Sequence, residues 1–200
     1  DPNAPPADGR LAAGGLSASI SSGRGVVNRV SVGGSDQDAT LNTDAGSIAS
    51  RPLSVHSEAI VNLNSTQHLN FVSTGIGGEI NVGTNGNRVL VCNQLFLDTE
   101  GTSLNLNDND MILDYTGASQ LEPMRLMIIN GYAGGNWNGL GISSDVAGVA
   151  GNTGLGYADA SEIFSSFPAT FSGQPVDNTA VVVKYTFYGD TNLSGTVDVA

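Results

Sequence analysis

Apolar residues recur at every second position in short bursts along most of this chain, and Gly, Asn, Asp, Ser and Thr separate the bursts. Between residues 39 and 115 they read ATLNT, PLSVH, AIVNLN, HLNFV, EINVG, RVLVC, QLFLD, SLNLN and MILDY. A period of two is that of a strand with one face against a core. Most starts lie eight to eleven residues apart, with tighter steps of six and seven and one of thirteen, and the intervening STGIGG, GTNGN and DTEGTS hold residues that tolerate left-handed φ or bond their own backbone. LSASI and GVVNRVSVGG carry the alternation back to Leu16, whereas residues 1–15 show no apolar period and read as an extended arm.

Such a ladder suits a β-solenoid, whose coils stack short strands, or an antiparallel β-sandwich. The brevity of the strands and the x-Asn-x pattern at Asn62, Asn70, Asn81 and Asn105 favour the solenoid, because stacked coils can stack amide side chains. The fold class expected is mainly β, with a small C-terminal α+β cap.

After Tyr115 the texture changes. SQLEPMRLMIINGY predicts a helix with Ser119 as N-cap, Glu122 three residues on, Leu121, Met124 and Ile128 on one face, and Asn130-Gly131 as its stop. A Gly/Asn-rich loop follows, then a short helix near Ala158 to Phe164 that ends before Pro168. TAVVVKYTFYG is the strongest strand, with Val181, Val183, Tyr185 and Phe187 on one face, and is expected to return to the ladder. Four parts result: an arm over 1–15, a ladder over 16–115, a cap over 116–188 and a terminal loop over 189–200.

Composition narrows the function. Charged residues are 13% of the chain, and 19 acidic against 7 basic side chains give a net charge of −12. That surface repels phosphate backbones, so no nucleic-acid partner is expected. No apolar run is long enough for membrane insertion. With Lys184 as the single lysine, polar surface must come from small uncharged residues, which fits an extracellular or cell-surface protein. Cys92 is the single cysteine, so no disulfide staples the chain, and its place in VLVCNQLFL makes it a buried strand residue. The opening DPNAPPADGR reads as an end left by processing.

The most specific chemistry lies in GDTNLSGTVDVA. Asp190, Asn192 and Ser194 alternate, Gly195 stands sixth, Thr196 offers its carbonyl at the seventh position and Asp198 stands ninth, the spacing of an EF-hand-type calcium loop. Alternate side-chain oxygens converge on a hard cation, and the glycine permits the sharp turn. The twelfth position falls one residue past Ala200, so the loop as written is incomplete. Asp108, Asp110 and Asp114 form a secondary acidic cluster that could hold calcium or act as paired carboxylates, though NLNDND reads as a solvated turn. Tyr132 and Trp137 could form a glycan-stacking platform or simply pack over the helix. His56 and His68 lack zinc-ligand spacing.

GDTNLSGTVDVA resembles the opening of a type I dockerin repeat. The longer run through LNDNDMILDYTGAS, GYAGGNWNGLGI, GYADASEIF and GQPVDNTAVVVKYTFYGD is similar to the C-terminal region of large secreted bacterial proteins with autotransporter-associated-type β-strand repeats. The resemblance implies export and a β-solenoid joined to a dockerin-like segment, not enzymatic activity. A true dockerin has a second loop, so a cohesin partner is not implied. The function expected is a non-enzymatic structural protein for surface, matrix or fibre assembly, stabilised by Ca2+ and partnered by itself or another extracellular protein. The alternative is a module that binds or cleaves polysaccharide.

Overall fold

The computed structural model describes residues 10–13, 17–20, 29–33, 39–43, 48, 50–98 and 100–198. Within them the chain passes back and forth between two sheets. β1 (Arg10–Ala13), β3 (Arg29–Val32), β5 (Arg51–Val55), β7 (Gln67–Thr74), β9 (Val89–Cys92) and β12 (Asp110–Asp114) stack in parallel in the larger sheet. β2 (Ser17–Ile20), β4 (Thr40–Thr43), β6 (Ile60–Leu63), β8 (Glu79–Val82), β11 (Ser103–Asn105) and β13 (Gly141–Ser143) do the same in the smaller one. This parallel pairing makes the fold a β-solenoid and not an antiparallel sandwich. All nine segments read between residues 39 and 115 are strands, with QLFLD supplying β10 (Leu95–Leu97) beside β7. Within the expected arm, Arg10–Ala13 pairs with β3, and the rest lies outside the described residues.

Register follows from burial. Leu41, Val61, Ile80, Leu104 and Ile142 are Cα partners in one column of the smaller sheet, and none has measurable exposure. Facing them, Val30, Leu53 and Val72 form such a column in the larger sheet. Slipping any strand by one residue would turn its column outward, at a cost of about 1.5–3 kcal/mol for each large aliphatic side chain exposed. The outward positions of the smaller sheet are mostly polar. Asn42, Asn62, Asn81 and Asn105 stand in one row, with Asn62 Nδ2 donating to Asn42 Oδ1 at 2.9 Å. The stack expected from sequence holds at Asn62, Asn81 and Asn105; Asn70 instead lies exposed on β7 in the other sheet, and Asn42 takes the remaining place.

The sheets do not stop at Tyr115. β17 (Ala180–Phe187) joins β12 antiparallel, and β14 (Thr153–Asp159) joins β17. α1 (Leu121–Tyr132) packs on β13 and buries Met124 and Ile128 in the core between the sheets. Two local expectations change here. The N-cap is Gln120, and Ser119 accepts the Leu121 N–H at 3.1 Å while donating to Asp159. Gly131 does not end α1, which runs on to Tyr132; a Cβ there would sit 1.8 Å from the Ile142 carbonyl oxygen, so glycine is what lets helix and strand touch.

The stretch expected as a Gly/Asn-rich loop contains β13 and α2 (Asp145–Ala150). A second core covers the outer face of the larger sheet at this end. Val89, Ile112 and Val182 lie beneath α3 (Ala160–Ile163) and the hairpin of β15 (Ala169–Phe171) and β16 (Gln174–Val176). Leu193, from the terminal loop, completes that cluster. No helix among the described residues is long and apolar enough to cross a membrane.

Candidate functional site

The terminal loop follows directly from β17. The Asp190 N–H donates to the Phe187 carbonyl at 3.1 Å, turning the chain back over the sheet. Leu193 and Gly195 adopt positive φ values of 54° and 92°, which the glycine accepts freely. Asp190 is 7% exposed and organises the turn: Oδ1 accepts the Ser194 N–H at 3.1 Å, and Oδ2 accepts the Gly195 N–H at 2.8 Å and the Thr186 hydroxyl at 2.5 Å. Asn192 Oδ1 accepts the Ser194 N–H at 3.1 Å. Ser194 Oγ lies 3.2 Å from the Thr196 carbonyl oxygen, and Thr196 Oγ1 donates to Asp198 Oδ1 at 3.3 Å.

Burial by itself would raise the Asp190 pKa. The hydrogen bonds from Thr186, Gly195 and Ser194, helped by the Lys184 charge, outweigh it and hold the carboxyl below the ordinary value. The oxygens of Asp190, Asn192, Ser194, Thr196 and Asp198 are hard donors of the kind Ca2+ takes. They would receive it in a turn that backbone N–H bonds already shape. Only two of the five bring carboxylates, and among the described residues no three His, Cys, Asp or Glu side chains gather as a metal cluster.

The loop is seated rather than free. Leu193 is 7% exposed, and its side chain lies against Gly156 of β14 where a Cβ would fall 2.5 Å from Cδ2. Lys184 passes under Gly195 and reaches Asp110.

Asp108, Asp110 and Asp114 go to three different places. Asp108 Oδ1 accepts the Asn85 N–H at 2.9 Å and joins this turn to the turn of the preceding coil. Asp110 Oδ1 accepts the Tyr185 N–H at 2.9 Å, while its Oδ2 pairs with Lys184 Nζ at 3.1 Å and accepts from the Ser172 hydroxyl. Asp114 accepts from Asn93 Nδ2 at 3.4 Å, and burial, then the Asp177 charge, raise its pKa. Strand alternation and the stacked turn send these carboxylates to different partners, so no carboxylate pair forms, and Asp110, buried with three partners, departs from the solvated turn expected of NLNDND. The Lys184–Asp110–Ser172 clamp, which ties the β15–β16 hairpin and β17 to the ladder, was missed. Its signal was a lone lysine in an apolar strand, which needs a partner once buried.

Tyr132 and Trp137 do meet, edge to face with centroids 5.1 Å apart. Trp137, however, is 3% exposed and donates its indole N–H to the Tyr188 hydroxyl at 3.2 Å. It offers no ring face to a sugar, because β14 and Tyr188 cover it. His56 Nε2 lies 2.6 Å from Ser31 Oγ, a contact between neighbouring coils. Cys92 is 1% exposed, and burial, with a lesser effect of the Asp114 charge, pushes its thiol pKa up to about 12.

Comparison with known proteins finds no matching family model, no match among curated proteins and none among solved structures.

Proposed function

We propose that this protein is a non-enzymatic structural element of the extracellular space, a solenoid spacer whose terminal loop takes Ca2+ to lock the cap. The observation that carries the reading is where its reactive side chains are spent. Asp108, Asp110, Asn109 and His56 bond neighbouring coils or fasten the cap, so side chains that could do chemistry act as internal fasteners. The low charge and the Asn and Ser rows support export, and the spacing of residues 190–198 supports the cation.

Assembly is part of the proposal. β14 ends the larger sheet, and no strand among the described residues pairs with its outer edge, which offers backbone groups to a second copy. Sedimentation of the purified protein at rising concentration, with Ca2+ and with chelator, tests both parts. Association together with a Ca2+-dependent rise in melting temperature, lost in Asn192→Ala, is expected. A monomer throughout removes the assembly role, and a melting temperature indifferent to Ca2+ removes the cation.

A further inference from the structure

Where the coil register changes, a notch opens in the larger sheet. β7 pairs with β9 through residues 67–69 and with β10 through Val72–Thr74, so two successive segments share one long strand. The next coil does not cover β10. β12 stays beside β9, and the Tyr115 N–H turns away to the Thr179 carbonyl at 3.0 Å. A cavity of about 370 Å3 lies between β10 and the chain at Tyr115–Thr116.

Its lining has a consistent chemistry. Three aromatic rings border it: Phe71 half-buried, Phe96 with 59% exposure at the rim, and Tyr115 buried with its hydroxyl donated to Asp159 at 3.2 Å. Three amides join them. Asn93 and Gln120 direct their NH2 groups to the backbone carbonyls of Asp114 and Ala118, leaving the carbonyl oxygens as acceptors. Gln94 is exposed and makes no side-chain hydrogen bond among the described residues. No charged side chain lines the cavity, in a chain with 26 charged residues by the count of 19 acidic and 7 basic.

We infer that this notch binds one or two residues of a neutral polysaccharide. A pyranose ring presents an apolar C–H face that stacks on aromatic rings and a rim of hydroxyls that need amide donors and acceptors. A ligand site of about 300–1,000 Å3 is the usual size, and this one lies within that range. An acidic polysaccharide would meet no cation here, and the chain's net charge of −12 would repel it. The inference does not depend on the terminal loop, which sits on the other side of β12 from this notch in strand order.

Affinity electrophoresis of the intact chain tests it, using galactomannan, arabinoxylan and mixed-linkage β-glucan as neutral probes and alginate as the acidic one. At least one neutral polymer is expected to retard migration. Phe96→Ala is expected to weaken that retardation at least tenfold without moving the melting temperature, since more than half the ring is already in solvent. Gln94→Ala should weaken it by a smaller factor. Migration unaffected by every neutral probe, retardation by alginate alone, or retardation unchanged in Phe96→Ala would each overturn the inference. So would capture of an extended peptide on the β10 edge with no sugar binding.

Discussion

The Asn109 side chain offers the sharpest test of how the ladder's last turn is held. It is 1% exposed. Its Nδ2 donates to the Gly83 carbonyl at 3.0 Å, the Leu106 carbonyl at 3.0 Å and Asp108 Oδ1 at 3.1 Å, while its Oδ1 accepts the Arg88 N–H at 3.1 Å. Asn109→Ala strands the Arg88 N–H, at about 1–3 kcal/mol, and removes bonds each worth about 0.5–1.5 kcal/mol from carbonyls that keep other partners. The expected loss is about 3 kcal/mol, or about 6–12 °C in melting temperature for a chain of this size. Asn109→Asp is isosteric but aims a carboxylate oxygen at two carbonyls and at Asp108. It should cost about 1 kcal/mol more than alanine at pH 7. The introduced carboxyl has its folded pKa raised above about 3.9, so its penalty is full above the folded value and fades as pH falls through it. Urea unfolding at pH 7 and at pH 4 measures both effects. If Asn109→Ala loses less than about 1 kcal/mol, or Asn109→Asp matches the unaltered protein at pH 7, the turn is not held by this side chain.

Three further outcomes follow from the packing. Gly131→Ala should lower stability by about 3 kcal/mol despite the better helix propensity of alanine, because its Cβ would lie 1.8 Å from the Ile142 carbonyl oxygen; a rise in melting temperature would contradict the close approach. Leu193→Ala should cost about 2–3 kcal/mol by opening the second core, and limited proteolysis should then cut after β17 first; unchanged protease resistance would mean the loop is not seated. Cys92 should resist thiol reagents in the native state and react fully in denaturant. Since its folded pKa of about 12 exceeds the ordinary thiol value of 9.0, the thiol should leave stability unaffected below pH 9 and lower it as pH rises from there toward 12, and a Cys92→Ser control should show a smaller decline, the remainder coming from groups such as the Tyr115 hydroxyl, whose pKa burial also raises.

Much of the ladder was legible because a half-buried strand has a period of two whatever it pairs with. Leu41, Val61, Ile80 and Leu104 announce strands from their neighbours alone. Whether those strands pair in parallel depends on where each turn sends the chain, and that is decided by residues a coil apart, as when Asp108 meets Asn85. The turn at Asp190–Ser194 has a local signal of the same kind, since its side-chain oxygens alternate along the chain; the cation belongs to the proposal.

The tertiary structure decided what contacts across distance decide. Asp110 and Asp114 look like a pair in the sequence, but β17 takes the first through Lys184 and Tyr185 while Asn93 takes the second. Trp137 looks available until β14 and Tyr188 close over it. Gly131 looks like a helix stop until Ile142 arrives beneath it. Local pattern thus determined the ladder strands, β17 and the existence of α1, since those energies act over neighbouring residues. Which side chains are spent inside the molecule depends on desolvation and partners supplied by segments tens of residues away.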